Sequence, residues 1–73
     1  MPRKDASFMK SVRLNQIKHK IMENINLGVD YEKLLDWIEY EIGLTREKAT
    51  EYVNLIIKIN GWALDDGKIV ETV

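Results

Sequence analysis

Three glycines punctuate this chain, Gly28, Gly43 and Gly61, and each follows a stretch whose apolar residues recur at helical spacing. Before the first, Leu14, Ile17, Ile21 and Ile25 share one helical face, while Arg13, Gln16 and Lys20 form a solvent-facing strip. Ser11 is the expected cap of this helix, and Asn26-Leu27-Gly28 is its expected stop. Asp30 is the expected cap of a second helix. It turns Tyr31, Leu34, Leu35, Ile38 and Ile42 inward and Glu32, Asp36, Glu39 and Glu41 outward. Gly43 stands where that helix would end in a left-handed conformation, which glycine adopts without steric cost. Thr45 opens a third helix whose shared face, Ala49, Tyr52, Val53, Ile56, Ile57 and Asn60, runs up to Gly61. Its third position is Lys48, so no capping box forms, but Glu47 suits the positive end of the helix dipole.

Beyond Gly61 the pattern changes to short strands. Trp62-Ala63-Leu64 and Lys68-Ile69-Val70 flank Asp66-Gly67, a strong type I′ hairpin signal. Gly28-Val29 is placed to supply a minor third strand beside this hairpin. The expected fold is therefore mainly α, three helices with a small β-hairpin, as one domain over residues 11–73. Residues 1–10 show no clean period and read as a mobile basic arm.

Several function classes are disfavoured by what the chain lacks. Without cysteine there is no disulfide, thiolate nucleophile or cysteine-based zinc site, and His19, on the outward side of the first helix, is the only histidine. Asp65-Asp66-Gly67 has the look of part of a calcium loop without its other ligands, and there is no glycine-rich phosphate loop. Carboxylate pairs such as Glu39 and Glu41 belong to a helix surface. The expectation is a protein with no catalytic residues, metal, cofactor or small-molecule substrate. No apolar run approaches the roughly 20 residues of a membrane span, and the basic N-terminus has no apolar stretch behind it, so a cytoplasmic protein is expected.

A net charge of −1 conceals a segregation. Residues 1–20 carry six basic side chains against one acidic, and residues 21–73 carry five against eleven. One end would attract polyanions and the rest would repel them.

The segment IGLTREKATEYVNLIIKINGWALDDGKIVE joins two helices by a tight Gly-Leu-Thr turn, continues as a long third helix and enters a hairpin after a glycine. It resembles the winged helix-turn-helix superfamily, especially small archaeal and viral members, over about residues 11–72. The resemblance implies that residues 46–60 form a recognition helix and residues 62–71 a wing, and that the helix lays its outward N-terminal residues in a DNA major groove. It implies double-stranded DNA as a partner and a role in transcription regulation or as an accessory factor in DNA transactions. Arg46, Lys48, Thr50, Asn54 and Lys58 would come from the third helix and Lys68 from the wing. Arg13, Lys18 and Lys20, with Arg3, Lys4 and Lys10 of the arm, would hold the phosphate backbone.

The acidic residues oppose this reading. Glu47 and Glu51 sit one turn apart on the same outward face, and the wing tip is Asp65-Asp66-Gly67 with Lys68 its one basic group. The competing expectation is a winged helix that docks on protein, as a subunit of a multiprotein assembly or as a homodimer. Its anchors would be Trp37 and Tyr40, off the buried stripe of the second helix, and Leu55 and Ile59 of the third. Trp62, at the start of the first wing strand, is expected in the core.

Overall fold

The computed structural model describes residues 6–72, with side chains from residue 9 onward. Helix α1 spans Ala6–Met22. This corrects the expected arm and cap: residues 6–10 contain no glycine or proline to stop a helix, and α1 runs through Ser11 without a break. Residues 1–5, with Arg3 and Lys4, lie outside the described residues. After α1 a single 3₁₀ turn, Ile25–Leu27, carries Ile25 into the core.

Strand β1, Val29–Asp30, leads directly into helix α2, Tyr31–Trp37. Asp30 caps α2, its Oδ1 accepting from the Lys33 N–H at 3.0 Å. The helix then widens into a π-turn over Ile38–Ile42, closed by the Gly43 N–H donating to the Ile38 carbonyl at 3.0 Å. Gly43 takes φ +82°, the left-handed value at which a side chain would be strained. Helix α3 spans Arg46–Asn60, and Thr45 Oγ1 accepts from the Lys48 N–H at 3.2 Å. Its far end closes in the pattern of a Schellman motif. With Gly61 at φ +70°, the Trp62 N–H donates to the Ile57 carbonyl at 3.0 Å and the Gly61 N–H to the Lys58 carbonyl at 3.3 Å. Trp62 and Ile57, the two residues this motif brings together, both pack against the core.

Strands β2, Ala63–Asp65, and β3, Lys68–Val70, form the hairpin. Asp66 at φ +53° and Gly67 at φ +78° give the two consecutive positive values of a type I′ turn. The sheet has order β1-β3-β2, all antiparallel, with Val29 and Leu64 on either side of Ile69 and Asp30 and Asp65 on either side of Lys68. The Tyr31 N–H, at the start of α2, donates to the Gly67 carbonyl in the hairpin turn at 2.9 Å. The protein is thus mainly helical with a small three-stranded antiparallel sheet, an arrangement compatible with a winged helix.

The core draws on every layer. Ile17 and Ile21 come from α1, Leu34 and Leu35 from α2, Ile38 from the π-turn, Ala49, Tyr52, Val53 and Ile56 from α3, and Ile69 from β3. Leu14, Tyr31, Ile42 and Trp62 lie half-buried at its edge. No polar side chain is buried among the described residues. Truncating Ile17, which has no exposed surface, to alanine is expected to cost about 2–5 kcal/mol. Gly61→Ala, forcing a side chain into the left-handed region, should cost about 1–3 kcal/mol. Urea unfolding of each variant measures both, and a Gly61→Ala protein as stable as the parent would show that the α3 terminus relaxes freely.

Candidate interaction surfaces

The first turn of α3 would lead the approach to a DNA groove, and its leading cation is already engaged. Arg46 reaches back to three carboxylates. Its Nη1 donates to Asp36 Oδ1 at 2.6 Å and Glu39 Oε2 at 2.7 Å, and its Nη2 donates to Glu32 Oε1 at 2.5 Å. These acids stand three or four residues apart on α2 and the π-turn, so they share one helical stripe. The Gly43-Leu44-Thr45 turn delivers Arg46 to that stripe. Hydrogen bonds to Asp36 and then Glu39 outweigh a loss of hydration and push the guanidinium pKa further above its ordinary value, with the charges of Asp36 and Glu32 adding to the rise. Three carboxylates around one guanidinium leave an excess of negative charge. The sequence reading had placed Arg46 on DNA, but reaching a phosphate would require it to break three ion pairs.

The other expected DNA contacts of α3 are mostly turned to local partners. Thr50 donates its hydroxyl to the Arg46 carbonyl at 2.8 Å. Asn54 Oδ1 accepts from the Tyr31 hydroxyl at 3.2 Å. Lys48 lies 3.5 Å from Glu51, one turn away. Lys58 and the wing's Lys68 are exposed. Lys68 pairs in register with Asp30 and Asp65, so acids flank it on both neighbouring strands.

The cations of α1 are distributed over different surfaces. Lys20 holds its ammonium 5.1 Å from the centre of the Trp37 ring, a cation–π arrangement. Trp37, expected as a free anchor on the flank of the second helix, is instead half-buried against the core. Tyr40 is 86% exposed on the π-turn. Lys10 and Arg13 turn toward α3.

There, between the N-terminal halves of α1 and α3, a groove of about 620 Å³ opens. Met9, Tyr52 and Leu55 supply its apolar surface, and Lys10, Arg13, Lys48 and Glu51 its polar rim. Leu55 and Ile59, grouped as one anchor from the sequence, fall in different hollows. Ile59, 68% exposed, lines a smaller one of about 220 Å³ with Leu14, Ile56 and Lys18. The groove has no counterpart among the sequence expectations, because Met9 and Lys10 belong to helix α1 and not to an arm. The available signal was weak: residues 6–10 contain no helix breaker, and Met9 and Arg13 stand four apart.

Among the described residues no three His, Cys, Asp or Glu side chains gather as a metal site, and no helix is long and apolar enough to cross a membrane. Replacing Arg46 with alanine strands three neighbouring carboxylates. The variant is expected to melt at a lower temperature than the parent at low ionic strength, with the gap narrowing at about 1 M salt, where charges are screened within about 3 Å. Thermal unfolding at both salt concentrations checks this, and a gap independent of salt would assign the loss to packing. Compared with protein-family models, curated proteins and solved structures, the chain gives no match.

Proposed function

We propose that this chain is a winged-helix protein-interaction module, a subunit of a replication, transcription or other multiprotein assembly that makes little direct contact with DNA bases. The observation that carries this reading is the clamp on Arg46. The cation that a recognition helix would present first is paired on the surface with three acids of the preceding helix and π-turn. The remaining exposed front of the helix offers Glu47 and Glu51 beside Lys48, and a duplex presents a dense line of phosphates to any such surface. Large apolar side chains meanwhile stand free, Tyr40, Leu27 and Ile59 above all. Exposed aromatic and aliphatic groups, and an apolar groove elsewhere on the surface, are what a protein contact uses as anchors.

A second reading keeps DNA as the partner. It rests on Lys10, Arg13 and Lys48 meeting at one groove, with Lys18 and Lys58 as further backbone contacts, and it makes the protein a transcriptional regulator or accessory factor that holds phosphates without reading bases. The two readings separate by anisotropy of a labelled duplex across a salt series. The interaction module is expected to bind no tighter than the roughly 10⁻⁴–10⁻⁶ M of non-specific contact. Replacing Lys48, Asn54 and Lys58 together with alanine should leave even that affinity nearly unchanged. Tighter binding that collapses in the triple variant would return α3 to the DNA.

A further inference from the structure

The two flanks of α3 carry opposite charge. Arg46 and Lys48 are two residues apart, so they project about 200° from one another around the helix. On the Arg46 side lie Glu32, Asp36 and Glu39, three carboxylates for one guanidinium. Out of this acidic surface stands Tyr40, 86% exposed. On the Lys48 side lies the groove with its apolar walls and the cations Lys10, Arg13 and Lys48, with Glu51 the one acid among the described residues that line it.

We propose that the groove between α1 and α3 is a docking site for a second copy of this chain, which inserts Tyr40 of its acidic π-turn. The inference rests on the protein-interaction reading and names the partner. A tyrosine suits a groove of about 620 Å³ walled by Met9, Tyr52 and Leu55: its ring buries against apolar and aromatic groups, and its hydroxyl stays near the polar rim. The carboxylates around it meet the cations of that rim.

Charge also dictates how the copies face each other. Groove and acidic flank lie on opposite sides of α3, so a two-fold pair, which uses one face of each copy, would bring two grooves or two acidic flanks together. The complementary arrangement is front to back. It leaves one unused groove and one unused Tyr40 at the ends, so it propagates with concentration until the rotation closes a ring or another protein caps an end. A duplex would use only the rim cations of the groove and leave its apolar walls uncovered. An acidic segment of an unrelated protein would fit the same chemistry, and it is an outcome of the test.

The test uses the full-length chain in sedimentation velocity at low salt over a wide concentration range. The parent is expected to grow beyond a dimer as concentration rises and to dissociate at high salt. Tyr40→Ala removes the inserted side chain and keeps the groove. Leu55→Asp spoils the groove and keeps Tyr40, and Arg13→Glu does so without touching an apolar side chain. Each variant alone is expected to stay monomeric, with its association weakened on the order of tenfold or more. Tyr40→Ala mixed with Arg13→Glu should give a one-to-one dimer that grows no further, because each supplies the half the other lacks and both remaining halves are damaged. Unchanged circular dichroism of the variants excludes unfolding as the cause.

A parent that stays monomeric at every concentration overturns the second copy as occupant and leaves the groove to a different acidic protein, with the interaction reading intact. Association that persists in Tyr40→Ala, or variants that fail to complement, overturns the front-to-back contact. Tight duplex binding by the same samples, lost in Arg13→Glu, overturns the interaction reading itself.

Discussion

Five β-branched side chains with no exposed surface hold the layers together: Ile17 and Ile21 from α1, Ile38 from the π-turn, Val53 from α3 and Ile69 from β3. Each has few rotamers to lose on burial, so a small interior packs in one arrangement at modest entropic cost. At 73 residues there is room for one such core. Every helix spends its apolar face on it, and the sheet contributes through Ile69, flanked by Val29 and Leu64. The surfaces available for function are therefore the outward faces that remain, and their charges follow from which residues the core did not need.

That division explains the two flanks of α3. The stripe of Glu32, Asp36 and Glu39 is the side of the second helix left outside, and unpaired it would repel itself. The turn after Gly43 brings Arg46 onto it, so the same guanidinium that relieves the repulsion is withdrawn from the exposed front. Exposed single ion pairs contribute little, but one guanidinium shared by three acids keeps like charges from meeting unscreened. Among the described residues the opposite flank has Glu51 as its one lining acid, and its cations face the groove.

The features legible from the sequence were those encoded locally. Asp30 and Thr45 cap their helices through residues three positions away, Gly43 and Gly61 adopt their conformations through their own backbone, and Asp66-Gly67 sets its turn alone. The start of α1 was not legible, because the residues before Ser11 carry neither a stop nor an apolar period, and so the groove that Met9 and Lys10 complete was missed. The acidic stripe itself was readable from its spacing. Its capture of Arg46 was not, because those partners are seven to fourteen residues away and meet only once the turn has been made. The wide turn at Ile38–Ile42 likewise has no local marker, since its residues would continue an α-helix equally well.

Tyr31 carries a consequence of another kind. Its backbone N–H holds the hairpin turn at Gly67, and its hydroxyl reaches Asn54 in the middle of α3. One residue thus joins strand β1, helices α2 and α3 and the tip of the hairpin. A hairpin tethered in this way is expected to open together with the helical layer, so that its amide protons exchange with that layer and not as a separate flap. The hairpin is then a fixed wall of the domain, and any partner that engages it meets a surface already in its final shape.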